Sequence, residues 1–273
     1  MSLLLVLKLG LVPALIGAVT IVGRRWGPSV AGWLSAFPIV SAPILFFITV
    51  EQGPVFAAQA AAATLSAVLA ILVFALSYAW AATKYQWGMC ASAGFVAYFA
   101  AVTCLRFWGP SLPVAAAAVV GALIVAPRLF PTLAIDIRGA QARPNDMHWR
   151  MIAGAMLVLL VTQFSARLGP QLSGVFAMFP VMGSVLAVFS HRNYGAGFAV
   201  NLLRGTVLGY YAFAVFCIAL SLTLSSMNIA PAFLASLVCA IAVQCISRVY
   251  LHRTSKAVLP PAPPSGPPAA LEP

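Results

Sequence analysis

Polar and ionisable side chains are scarce in this chain, so the few that lie within apolar stretches carry whatever chemistry it performs. Arg204, in VNLLRGTVLGYY, is the only charge well inside such a stretch. An arginine at a bilayer centre costs roughly 2.5–3.5 kcal/mol, so it needs a cavity, a partner or a route to the interface. No carboxylate is embedded near it, and Glu51 comes nearest. Gln59 and Asn201 can line a cavity or bond across helices. The three histidines, His148, His191 and His252, lie far apart and outside the apolar segments. Cys90, Cys104, Cys217, Cys239 and Cys245 form no CxxC pair and read as small packing residues. HExxH, GxSxG, a phosphate-binding glycine loop and paired carboxylates are all missing from the sequence. Catalysis needs such sets, so the expectation is a non-enzyme that holds no metal and no cofactor.

Proline at two matching places is the other candidate. GPSVAGWLSAFPIV (27–40) returns as GPQLSGVFAMFPVM (169–182), an offset of 180 − 38 = 142. From Val19 to Thr64 that offset holds without a gap, and thirteen positions are identical, among them Gly53/Gly195, Phe56/Phe198 and Thr64/Thr206. Phe37-Pro38 and Phe179-Pro180 each fall about ten residues into an apolar segment, or about 15 Å deep. Proline removes a backbone bond and frees the carbonyl one turn earlier, near Leu34 and Phe176. Gly32 and Gly174, with small neighbours, allow helices to approach closely.

These residues sit in a chain of 273 residues that is 63% hydrophobic and 7% charged, with mean hydropathy +1.02. Soluble domains carry about 25% charged residues. The composition predicts an all-α, polytopic membrane protein whose main partner is the lipid bilayer. The net charge of +11 reflects a shortage of acids rather than a basic face for nucleic acid. Breakers and charges divide the chain into about nine apolar segments: 3–23, 29–50, 54–82, 87–106, 110–127, 150–166, 170–190, 195–224 and 229–250. Four Gly-Pro dipeptides (27–28, 53–54, 109–110, 169–170) separate neighbours, glycine closing one helix and proline opening the next.

With nine spans, eleven basic residues fall in loops on one side, from Arg24 and Arg25 to Lys256, and three (Lys8, Arg106, Arg167) on the other. That bias places the N-terminus outside and the C-terminus in the cytoplasm of a bacterial inner membrane. The organisation expected is a first repeat of five spans (1–127), a cytoplasmic connection (128–149), a second repeat of four spans (150–256) and a disordered Pro-rich tail (257–273). On this reading 111–131 corresponds to 228–250, and the segment near 87–106 is the extra one. An odd number of spans in the first repeat turns the second one over, and inverted repeats are typical of transporters.

The stretches LSGVFAMFPVMGSVLAVF, LLRGTVLGYY and APAFLASLVCA, over most of 150–250, resemble the GlpM-like small bacterial membrane proteins of about four helices. The resemblance implies a four-helix unit, duplicated here, in the inner membrane, and no substrate. The expected role is a small-molecule transporter or exporter with a central site formed by Phe37, Pro38, Gln59, Phe179, Pro180, Asn201 and Arg204. The alternative is a non-transporting scaffold or assembly factor of an envelope complex. Oligomeric state, substrate and coupling ion have no signature in the sequence.

Overall fold

The computed structural model describes residues 3–108, 111–135, 146–167 and 179–256. Every regular element among them is helical: α1 (Leu3–Trp26), α2 (Pro28–Ser35), α3 (Ser41–Gln52), α4 (Pro54–Ala81), α5 (Trp87–Trp108), α6 (Leu112–Leu129), α7 (Met147–Arg167), α8 (Val181–Tyr194), α9 (Ala196–Thr223) and α10 (Ile229–Lys256). Among the described residues six helices (α1, α4, α5, α6, α9 and α10) are long and apolar enough to cross a membrane, and α7 adds a shorter apolar stretch, Met147–Val161. Outward-facing Val96, Ile124, Leu234 and Ile246 are exposed. Such a skin suits lipid and is rare on soluble monomers. The chain is an integral, all-helical membrane protein.

Glycine and proline set several boundaries. Gly27, Gly53 and Gly195 have φ of 91°, 87° and 85°, a region that side chains disfavour. The Gly53 N–H donates to the Thr49 carbonyl and the Gly195 N–H to that of His191, both at 3.0 Å. Pro28 and Pro54 then open the next helices. The Gly-Pro pairs at 109–110 and 169–170 lie outside the described residues.

Pro38 breaks its segment rather than bending it. The stretch 29–50, expected as one span, is two helices, α2 and α3, separated by residues 36–40. The carbonyl of Leu34 loses its ordinary donor to proline, but the Phe37 N–H reaches it at 3.2 Å. The carbonyl expected to be free is therefore occupied from within the break.

The same backbone recurs 142 residues later. The Ile39 N–H donates to the Phe37 carbonyl and the Val181 N–H to that of Phe179, both at 2.8 Å. Ala42 to Pro38 and Ser184 to Pro180 are both 2.9 Å. The helices α4 and α9 each have 28 residues, and their bounds differ by 196 − 54 = 223 − 81 = 142. The match continues where sequence identity has faded. Lys84 to Ala81 and Ser226 to Thr223 are both 3.1 Å, as are Cys90 to Gln86 and Ala232 to Asn228. By this register α5 (from Trp87) corresponds to α10 (from Ile229), and the helix without a counterpart is α6. The sequence match of 111–131 to 228–250 instead paired α6 with α10 and left 87–106, α5, as the extra segment. Small apolar residues recur in any membrane helix, so that match carried little register information.

At the centre are α4 and α9, each with 56% of an 18-residue apolar stretch buried. Late in α9, the Ser221 hydroxyl donates to the Ala58 carbonyl, early in α4, at 3.0 Å, so the two run antiparallel. Across α9 lies α2, backbone against backbone. A Cβ on Gly32 would strike the Leu202 carbonyl, and one on Gly209 the Trp33 carbonyl. The unmatched α6 packs against both α4 and α9, while α1 packs against α7.

Candidate functional site

Five polar side chains converge where three helix ends meet. The end of α1 supplies Arg24, the start of α7 supplies Asp146 and Arg150, and the end of α8 supplies Ser190 and Asn193. Asp146 directly precedes α7, where the helix dipole favours a carboxylate. Four residues later Arg150 lies on the same helix face.

Arg150 Nε donates to Asp146 Oδ2 at 2.7 Å. Arg24 Nη2 pairs with Asp146 Oδ1, and Asn193 Nδ2 donates to Oδ2. Arg150 Nη1 reaches the Ser190 hydroxyl at 3.4 Å. The Arg150 guanidinium also lies 5.5 Å from the Phe189 ring and 6.0 Å from that of Tyr194, within cation–π range. The side chains of Arg150, Asp146 and Arg24 are 2%, 7% and 33% exposed. Two cations thus share one carboxylate, which leaves the cluster one positive charge in excess.

One donor is left over. Arg150 Nη2 is buried and has no hydrogen-bond partner among the described residues. Leaving such a donor unmet costs about 1–3 kcal/mol, and more for a charged group. A cavity of about 10 Å³ is lined by Arg150 together with Thr20, Arg24, Ser190 and Tyr194, and by apolar residues of α1, α2, α8 and α9. That is close to the space one water needs.

None of these five residues stands out by sequence pattern. Arg24 and Arg150 read as loop charges and Asp146 as part of the connection 128–149, whereas the structure buries Asp146 and Arg150. Asp146 is buried directly before α7 rather than exposed in that connection. Its one legible signal is that it is among only four acids and stands four residues before an arginine. His191 also differs from its loop assignment. It lies in the last turn of α8, with Nδ1 3.2 Å from the Tyr78 hydroxyl.

The seven residues singled out by sequence lie on or beside α2, α4, α8 and α9. Pro38 and Pro180 are buried, and Phe37 is half-buried. The Phe179 ring stacks on Phe95 at 5.1 Å and meets Tyr98 edge-on at 5.7 Å. Gln59 is exposed on α4 and Arg204 is exposed on α9. The Asn201 amide turns back to the Gly197 carbonyl at 2.8 Å and reaches that of Leu133 at 3.4 Å. Among the described residues no hydrogen bond joins Gln59, Asn201 and Arg204. Gly174 and Phe176 lie outside the described residues.

No group of three His, Cys, Asp or Glu that could hold a metal occurs among the described residues. Compared with known proteins, the chain matches no family model, no curated protein and no solved structure.

Proposed function

We propose that this chain is a small-molecule transporter of nine membrane crossings. Two four-helix units flank α6, and the second unit is inverted. The observation that carries the reading is the pair of Phe-Pro breaks, which share the same backbone hydrogen bonds 142 residues apart. They belong to units whose central helices, α4 and α9, run antiparallel.

The arrangement of helix ends supports the count. Tyr78 near the end of α4 meets His191 near the end of α8, and Trp80 donates to the Leu129 carbonyl at the end of α6. Arg24 at the end of α1 meets Asp146 at the start of α7. At the opposite ends, Phe46 in α3 packs on Phe233 near the start of α10 at 5.3 Å. With α2 and α3 taken as one broken crossing, five crossings precede α7, so α7 begins on the side where α1 ends. The loop charges then make that side cytoplasmic, in a bacterial inner membrane. Kinship of 150–250 with GlpM-like proteins belongs to the same proposal, since each unit has four crossings.

Broken helices at matching positions of inverted units are how many transporters present backbone groups to a midplane ligand. Thermal-shift screening of the purified protein against metabolites and drugs should find a stabilising ligand. Flux of that ligand into proteoliposomes should fall severalfold in Pro38→Ala and in Pro180→Ala, with insertion intact. The double variant should be little worse than either single one, because residues of one site are not additive. Parental flux in both single variants would remove the prolines from the site. A protein that neither shifts nor transports supports the scaffold reading, which the backbone-tight contact of α2 with α9 favours.

A further inference from the structure

We infer that the cluster between α1, α7 and α8 is an oxyanion site, which takes one oxygen of a phosphate-type group against Arg150 Nη2. The site stands apart from the transport reading, because an anion can bind there whether or not anything crosses the membrane.

Four observations converge on it. The cluster holds two arginines and one carboxylate, so it is short of one negative charge. Arg150 is 2% exposed yet keeps a donor without a partner among the described residues. The cavity lined by this residue also carries the hydroxyl-bearing side chains of Ser190 and Tyr194, and hydroxyls can donate to an oxygen, whereas the Thr20 hydroxyl donates to the Ile16 carbonyl at 2.7 Å. Its volume of about 10 Å³ admits one oxygen atom and not a whole phosphate. The remainder of the group must therefore lie toward Arg24, the partly exposed member of the cluster.

Position supplies the chemistry of the ligand. Arg24 is two residues from the end of α1 and Arg150 is three residues into α7. Helix ends of a membrane bundle lie at headgroup depth, where lipid phosphates are concentrated, and basic pockets between helices there bind them. An arginine edge matches an oxyanion better than a lysine would, because its donors are fixed in a planar fork. A neutral water could meet the hydrogen bond but would leave the charge uncompensated.

The test uses the full chain in maltoside micelles, which contain no phosphate, at an ionic strength fixed with chloride. In one arm inorganic phosphate is titrated, and in the other phosphatidylglycerol is added without free phosphate. The Tm should rise saturably by several degrees in at least one arm, as binding to the folded state requires. A rise in the first arm identifies a free oxyanion, and a rise only in the second identifies a lipid headgroup. Arg150→Lys should abolish the rise, while Arg25→Gln, outside the cluster, should keep it. If Arg150→Lys does not fold, Tyr194→Phe and Ser190→Ala decide, since both line the cavity without bonding to Asp146. A rise that is unchanged in both of those variants, or no rise in either arm, leaves a water in the cavity and overturns the proposal.

Discussion

Among the described residues Asp146 is the only acid paired with Arg24 and Arg150, so its removal isolates a buried cation. Asp146→Asn should cost about 3–5 kcal/mol, the range for breaking a buried pair from one side. Arg24→Gln should cost at most about 1 kcal/mol, because that side chain is one-third exposed and partly screened. It also relieves the charge surplus. Thermal or chemical unfolding in detergent measures both, and equal losses would contradict the cluster's described geometry. The repeat gave no warning of this site. Positions 142 residues before Asp146, Ser190 and Asn193 hold Leu4, Ile48 and Glu51. Only Arg150 has a counterpart of like charge, Lys8, so the cluster has no copy in the other half, and it joins Arg24 of the first half to four residues of the second. Its members are separated by up to 193 − 24 = 169 positions, and no spacing rule connects residues that only tertiary packing brings together.

Helix boundaries were far more legible, because Gly-Pro and Phe-Pro act through local backbone chemistry. Gly53 and Gly195 close helices at the same register, and Pro38 breaks its segment where the sequence places it. Register beyond residue 64 was not legible. The sequence 87–99 and its counterpart 229–241 keep apolar character but almost no identity, and lipid-facing positions ask only for apolar bulk. The close packing of α2 on α9 had an unused signal in Gly205-Thr-Val-Leu-Gly209, a GxxxG pattern. Gly32→Ala places a methyl into the Leu202 carbonyl, which cannot yield as a side chain end could. Overpacking of this kind costs about 1–3 kcal/mol. Gly121→Ala, on α6 with nothing within 4 Å of the new Cβ, should be neutral or mildly stabilising. Stability measurements on both variants check the contrast. An unaffected Gly32→Ala would mean that α2 does not sit on α9 as described.

At the scale of the whole molecule, the proposed inversion of the second unit turns on α6. In that proposal each unit has an even number of crossings, which returns the chain to the side it entered from, and one additional helix between them turns the second unit over. The positions that test this best are the turns after α4 and α9, which match in detail. The Thr83 hydroxyl donates to the Trp80 carbonyl and the Ser225 hydroxyl to that of Leu222, both at 2.7 Å, and both residues are exposed. Single cysteines at Thr83 and Ser225, in a background free of the five native cysteines, can be labelled with an impermeant maleimide. Intact cells and inside-out vesicles supply the two faces. Inverted units predict that Thr83→Cys reacts only from the cytoplasmic face and Ser225→Cys only from the outer face. Labelling of both cysteines from one face would contradict the inversion.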